Sequence, residues 1–477
     1  MTNGSDTLTD DILLYVFNFY LAEASKVDAW RTLVHVCRRW RNLVFGSPGH
    51  LNLRIVCTKE TPVKEKLNVW PALPIVVFAS GPVSTQEHTP IHNLIAALEH
   101  HDRVCQIELS SFTWDLQEEL DKPFPELRVL KLHSDEFLYP FVYSGQPIEG
   151  TTHLQSLSLS NIPIPDLPNL LLSCTKLIEL RITLTGMVIY DDLSPDKMVT
   201  ALSALTRLQV LHLEPEINWR TQHLLLPTPI VLHSLIDFSF KGFIGYLDYF
   251  LALIDAPLLE RLGIDIHTNP GPDQVTPFNT LQTLRFIGHV PEFKALKEAH
   301  IGFDSDESAV WIDFYSTQTP NVVLKLYVIC NDPEQHFPFL AQFCRSPFLP
   351  LPTLEYLCIG GHNNSQQWPR DYTENTRWLE FLQPFASVSY LCLSKDFARC
   401  IARALEELDG ETAKEVFPTL ENVLVEEFQL YEPVNKAFSN FAAMRQSSDH
   451  PIVVSDWDRT GPNAGHVVNI KRKRRKR

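Results

Sequence analysis

The chain has 477 residues, 44% of them hydrophobic and 21% charged, an ordinary balance for a globular protein but too long for one compact core, so two or three units or a repeat array are expected. The formal charge is −16, and because the last seven residues are all basic, the rest sets 34 basic residues against 57 acidic ones; so acidic a body is ill suited to phosphate backbones, and nucleic acid is not an expected partner. No run of about eighteen uncharged apolar residues offers a membrane span, and the polar, acidic start MTNGSDTLTDD does not read as a targeting peptide.

The first predicted elements lie in residues 8–48. Ile12, Leu13, Val16, Phe17 and Tyr20 recur on one helical face, with Asp10 and Asp11 in the first turn, where the helix dipole favours negative charge. Thr7 stands at capping-box distance from Asp10. A second helix is predicted from about Asp28, with Leu33, Val36, Cys37, Trp40 and Val44 on one stripe and Gly46, Ser47 and Pro48 at its end. Two short amphipathic helices cannot bury both apolar faces on each other, so they need the rest of the chain or a partner.

Leu8, Asp11-Ile12-Leu13, Val16-Phe17 and Val36-Cys37-Arg38-Arg39-Trp40-Arg41 resemble the F-box, the helical module that docks on the Skp adaptor of cullin-based ubiquitin ligases. The resemblance implies that Leu8, Ile12, Leu13, Val16, Phe17, Val36, Cys37 and Trp40 form the adaptor-binding stripe, with Trp40 as its aromatic anchor. This chain has Thr9 where the family usually has Pro and Asp11 where it has Glu, so weaker docking is expected. The other reading of the same residues is a helical hairpin that caps a larger domain.

Next come an alternating strand in LNLRIVC (51–57), a short helix at 62–69 ended by Trp70-Pro71, a strand in ALPIVVFAS (72–80), a loop near 81–90, and a short helix in NLIAALEHH (93–101). From there a Leu-x-x-Leu-x-Leu unit recurs. It appears as Leu127-Leu130-Leu132, Leu154-Leu157-Leu159, Leu177-Leu180-Ile182, Leu208-Leu211-Leu213, Leu235-Phe238-Phe240, Leu259-Leu262-Ile264 and Leu281-Leu284-Phe286. Later copies are Leu354-Leu357-Ile359, Val388-Leu391-Leu393 and Leu420-Val423-Val425. Spacings of 22 to 31 residues between the first seven copies scatter around the leucine-rich-repeat period. Apolar positions two apart point to one face of a strand. Between the units lie helix-like pieces such as 167–174, 198–205, 245–254, 337–344, 376–382 and 397–408, each with one apolar face and too little surface to fold alone. Residues 287–353 break the period; strands are predicted at 296–303, 309–315 and 321–330, either as an antiparallel insertion or as distorted repeats. A helix at about 433–445 and a strand at 451–457 close the array.

The expected fold class is therefore α/β: an F-box-like helical hairpin (1–50), then an irregular leucine-rich-repeat solenoid with a curved, mainly parallel sheet and outer helices (51–457), then a disordered basic tail (458–477). The start, Arg54-Ile55-Val56-Cys57, the segment Trp70 to Ile75 and the degenerate repeats together resemble a large group of fungal F-box proteins. That implies a non-catalytic adaptor, bound to a Skp-type adaptor and through it to a cullin, that presents an unknown target protein held by the solenoid; the alternative is a leucine-rich interaction scaffold unrelated to ubiquitin.

No GxxxxGK[ST], HExxH or GxSxG motif is present, and no enzyme activity, cofactor or metal is expected. The nine cysteines are scattered without CxxC spacing, as reduced buried thiols would be. His88 and His92 are separated by Pro90, which does not suit a helical ligand pair, and His100-His101 suits a helix end. The tail Lys471, Arg472, Lys473, Arg474, Arg475, Lys476 and Arg477 reads as a nuclear-import signal or as a solvated tail, so a cytoplasmic or nuclear location, or both, is expected. Beside the core positions, Arg128, Lys131, Ser156, Ser158, Glu179, Arg181, Gln209 and His212 are candidates for the concave face.

Overall fold

The computed structural model describes residues 8–24, 28–60, 62–80, 89–110, 114–134, 153–162, 164, 167–184, 193–215, 229–268, 281–304, 309–316, 322–330, 336–349, 351–361, 375–408, 412–428, 432–446 and 451–457. The chain divides into two compact units, residues 1–193 with 200–208 and residues 194–199 with 209–477.

The first unit opens with α1 (Asp10–Glu23), α2 (Trp30–Val34) and α3 (Arg38–Gly46). The single second helix predicted from Asp28 is thus two helices. Cys37, in an extended conformation, caps α3 by accepting from the Trp40 backbone N–H, which breaks the helix between Val34 and Arg38. Thr9 is the N-cap residue of α1, with extended backbone but no side-chain capping bond. Thr7 lies outside the described residues.

Six parallel strands follow in sequence order: β1 (Ile55–Cys57), β2 (Ile75–Ala79), β3 (Val104–Leu109), β4 (Val129–His133), β5 (Ser156–Ser160) and β6 (Glu179–Leu184). Between them run α4 (Val63–Val69), α5 (Thr89–Leu98), α6 (Gln117–Leu120) and α7 (Leu167–Leu171). Next in the chain, α8 (Pro195–Leu202) is divided between the two units.

The second unit continues the pattern with β7 (Val210–Pro215), β8 (Ile230–Val231), β9 (Asp237–Phe243), α9 (Ile244–Ala252), β10 (Ile254–Asp255) and β11 (Arg261–Thr268). Then come α10 (Leu281–His289), β12 (Leu296–Asp304), β13 (Ala309–Ser316), β14 (Val322–Cys330), α11 (His336–Cys344) and β15 (Tyr356–Gly361). The unit ends with α12 (Asn375–Leu382), β16 (Tyr390–Leu393), α13 (Lys395–Glu406), α14 (Thr412–Glu415), β17 (Asn422–Val425), α15 (Glu432–Gln446) and β18 (Val453–Asp456).

The repeated leucines explain this order. Leu130, Leu132, Leu157, Leu159, Leu180 and Ile182 point to one face of the sheet and are buried. The first position of each unit makes the turn into the strand. Leu127 N–H donates to the Phe124 carbonyl, and the same step recurs from Leu177 to Cys174, Leu235 to Leu232, Leu354 to Leu351, Val388 to Phe385 and Leu420 to Phe417. Both members of each pair are buried, so a tight turn brings two apolar side chains under the sheet for one backbone bond. Each fully buried leucine contributes about 1.5–3 kcal/mol, and stacked copies add up to a continuous core.

One copy departs from the pattern. Leu281-Leu284-Phe286 belongs to a helix, α10, and not to a strand. Spacing of three residues also suits a helical face, and Thr283, Leu284, Phe286 and Ile287 are buried there. Asp248 of α9 fixes the start of the helix: its Oδ1 accepts from Gln282 N–H at 3.0 Å, Thr283 N–H at 2.9 Å and the Thr283 hydroxyl at 3.2 Å.

Residues 296–330 form an antiparallel meander. In the second unit β11 pairs with β14, β14 with β13, β13 with β12 and β12 with β15; the outer pairings are parallel and the inner two antiparallel. Three strands is an odd number, so the strand entering the meander and the strand leaving it run the same way and the parallel array resumes at β15. The acidic turn residues 305–307 lie outside the described residues.

Candidate docking surface

Helix α1 carries apolar side chains nearly all round, and the fold buries only Leu13 and Phe17, one turn apart. Leu8, Ile12, Val16 and Tyr20 remain exposed, and Tyr15, Phe19 and Val36 are exposed to 75%, 65% and 56%. So many exposed apolar side chains on one short helix are the usual mark of an interaction site.

The helices are held rigidly beneath this surface. The Trp40 ring lies against Phe17 with centroids 4.7 Å apart. The Arg39 guanidinium donates to the Asp10 carboxylate at 2.7 Å and to the Leu8 carbonyl at 2.6 Å, tying α3 to the start of α1. Arg41 Nε donates to the Val34 carbonyl at 3.0 Å. Trp30 anchors the helices to the residue ahead of β1 and to the end of α4: its indole N–H donates to the Arg54 carbonyl at 2.8 Å, and its ring meets Trp70 edge-on at 5.1 Å. The Arg31 guanidinium sits 5.7 Å above Trp70.

Of the residues predicted to form the docking stripe, Leu8, Ile12, Val16, Val36 and Cys37 are thus exposed, Leu13 and Phe17 are buried inside the module, and Trp40 is half-buried on Phe17. Tyr15 and Phe19 were not among them, although the signal was there: between Asp11 and Ala22 only Asn18 is polar, more apolar surface than one face can bury. The tail Lys471 to Arg477 lies outside the described residues.

Beside the helices, Arg31, Lys66, Trp70, Phe78 and Glu108 help line a groove of about 900 Å³. Burial, with Arg31 nearby, lowers the Lys66 pKa. The sheet face away from the helices of the first unit is polar and internally paired. Glu108, Lys131, Ser158 and Arg181 fall in register across four strands. Lys131 pairs with Glu108 at 2.9 Å, Arg181 with Glu179 at 2.6 Å, and Ser156 donates to Glu179 at 2.9 Å. Arg128 and Gln209 lie just ahead of their strands. On the second unit, His212 contacts Ser239, and Lys241 pairs with Glu214 at 2.5 Å. Burial alone would raise the Glu214 pKa, but His212 and Lys241 outweigh it and hold the carboxyl below its ordinary value. On that face too, Glu298, His300 and Cys358 each bring a potential metal-ligating atom within 4.8 Å of the others. Burial opposes charge on the His300 imidazole, but its contacts with Cys358 and the Glu298 carboxylate push its pKa up. Among the described residues no helix is long and apolar enough to cross a membrane.

No protein-family model and no curated protein matches the chain. Among solved structures it is similar to the leucine-rich repeat-containing protein LegL7 from Legionella pneumophila, at 11% identity over 73% of this chain and 93% of that one, with a TM-score of 0.28. It is also similar to a leucine-rich-repeat protein of Leptospira interrogans, at 12% identity over 80% and 89% and a TM-score of 0.28. A TLR13–ssRNA13 complex matches at 13% identity over 78% and 45%, with a TM-score of 0.31. Overlaps this loose carry no argument about function, and the register of the chain's own strands is what defines the fold. By that register the chain is an α/β protein of leucine-rich-repeat type, with three helices at its N-terminal end.

Proposed function

We propose that this chain is the non-catalytic substrate-recognition adaptor of a Skp–cullin–F-box type ubiquitin ligase, docking on a Skp-type adaptor through residues 8–48 and holding a target protein with its repeats. The observation that carries this reading is the apolar surface of Ile12, Tyr15, Val16, Phe19 and Val36, left uncovered while Leu13, Phe17 and Trp30 lock the helices in place. Covering each of these side chains would contribute up to about 1.5–3 kcal/mol, enough in sum to support a stable complex once the cost of association is met. The repeats then supply proximity, turning an encounter between target and ligase into an effectively intramolecular one. Seven consecutive cations at 471–477 support a nuclear-import role for the tail. Deleting them should lower the nuclear fraction, and an unchanged fraction counts against that role.

The test is capture of a purified Skp-type adaptor by the full chain. Wild type should retain the adaptor, and Ile12→Asp/Val16→Asp, which alters only exposed positions, should lose at least tenfold in affinity with an unchanged circular dichroism spectrum. Equal binding by the two proteins, or none by wild type, sinks the proposal. A second reading is a repeat scaffold without a cullin, its helices serving as an end cap. The hydrogen bond of Trp30 to the Arg54 carbonyl and its packing on Trp70 favour it, because they bind the helices to the residue ahead of β1 and to the end of α4.

A further inference from the structure

The polar cluster on β12, β15 and β16 has the composition of a thiolate-rich metal site, and three of its members already stand close together. His300, Cys358 and Cys392 stand at the same register position on three adjacent parallel strands, His300 opposite Cys358 and Cys358 opposite Cys392. Their neighbours Ala299, Ile301, Leu357, Ile359, Leu391 and Leu393 point the other way, into the core. Parallel strands lie about 4.8 Å apart, so this register sets the three side chains in a row on one face. Glu298, two residues before His300, shares that face, with one carboxylate oxygen 2.6 Å from His300 Nε2. Cys358 and Cys392 are close enough for their thiols to share a hydrogen bond.

We propose that Glu298, His300, Cys358 and Cys392 bind a single zinc-class divalent ion. Two sulfurs, one imidazole nitrogen and one carboxylate oxygen form a four-coordinate set of the kind zinc takes, and the thiolates disfavour magnesium and calcium. Bond lengths of about 2.0–2.3 Å require donors about 3.3–3.8 Å apart. Glu298, His300 and Cys358 already hold their ligand atoms within 4.8 Å of one another, whereas Cys392, one strand beyond Cys358, lies outside that group and has to turn in to complete the set. Binding releases the thiol protons of Cys358 and Cys392 to solvent, takes the His300 imidazole in its neutral form, and leaves two thiolates and a carboxylate around the ion. Aromatic rings border the site along the row of Glu298: Tyr315, whose ring centroid is 4.8 Å from that of His300, and the stacked pair Tyr356 and Tyr390, also at 4.8 Å. His300, with 17% of its side chain exposed, is the way in. The spacing of the sequence gives no hint of these ligands, because strand pairing alone brings them together.

The inference does not depend on adaptor docking, and cobalt titration of the chelator-stripped, reduced full chain tests it. One equivalent of Co²⁺ should produce thiolate-to-cobalt charge-transfer absorption in the near ultraviolet, and Zn²⁺ should bleach it. Cys358→Ser and His300→Gln should each weaken cobalt binding at least tenfold, while Cys400→Ser, at a cysteine outside the cluster, should leave it unchanged. Should folded wild-type protein show no charge-transfer band, or should Cys358→Ser/Cys392→Ser keep it, the site is not a metal centre.

Discussion

The Trp40 ring packs on Phe17 with centroids 4.7 Å apart and planes inclined by 60°, joining α3 to α1 inside the helical module. Both residues fall on the predicted docking stripe, yet Phe17 is fully buried and Trp40 half-buried in the isolated chain. Their first duty is internal. Phe17→Ala should cost about 3–5 kcal/mol of local stability and Trp40→Ala on the order of 2 kcal/mol. Ile12→Ala, at an exposed position, should cost within about 0.5 kcal/mol. Hydrogen exchange over residues 10–46 checks this: protection should collapse in the first variant, fall in the second and stay intact in the third.

Asp248 should behave as a cap supplied by tertiary structure. Removing its three bonds to Gln282 and Thr283 by Asp248→Ala should destabilise the second unit by about 1–2 kcal/mol. Asp248→Asn keeps an acceptor oxygen and should retain most of that stability, because burial opposes the negative charge and raises the Asp248 pKa. Denaturant midpoints of the two variants give the comparison.

Glu214 should contribute to the acid limb of the stability profile. Its pKa is lowered from the ordinary 4.5 in the folded protein, so its contribution is present in full above that value and is lost as pH falls through the lower folded value. Glu214→Gln should therefore be less stable than wild type at neutral pH, with the difference shrinking on acidification below about pH 4.5. Melting temperatures measured from neutral pH down to about pH 3 test the sign.

Gly302 lies opposite Trp311 in the meander, and a Cβ built there would stand 2.1 Å from the indole carbon Cε2. The glycine is needed because the ring lies flat across its backbone. Gly302→Ala should cost about 1–3 kcal/mol, and Gly302→Ala/Trp311→Ala should cost less than the two single changes combined. A double-mutant cycle in denaturant supplies the numbers.

Much of the fold was legible from local pattern. Leu127, Leu154, Leu177 and their successors announce both a strand and the turn into it, because spacings of three and two residues meet the needs of each. The predicted strands at 296–303, 309–315 and 321–330 correspond to β12, β13 and β14. The same pattern misled at Leu281-Leu284-Phe286, where a three-residue step serves a helix equally well and the deciding group, Asp248, lies more than thirty residues earlier. In α1 the apolar residues were plain in the sequence, but which of them face inward depended on where Trp40 and Arg39 arrive from α3.

The sequence by itself determined the recurrence of the leucine unit, the alternation of core and surface along each strand, and the surplus of apolar side chains in the first helix, since each of these is written in short stretches of residues within a turn or two of one another. Only the tertiary structure decided that Tyr15 and Phe19 stay bare while Phe17 is covered, that α10 is a helix, and that Glu298, His300, Cys358 and Cys392 meet on one face. The physical reason is the same in each case: those outcomes are set by groups distant along the chain that strand register and helix packing bring within a few ångströms.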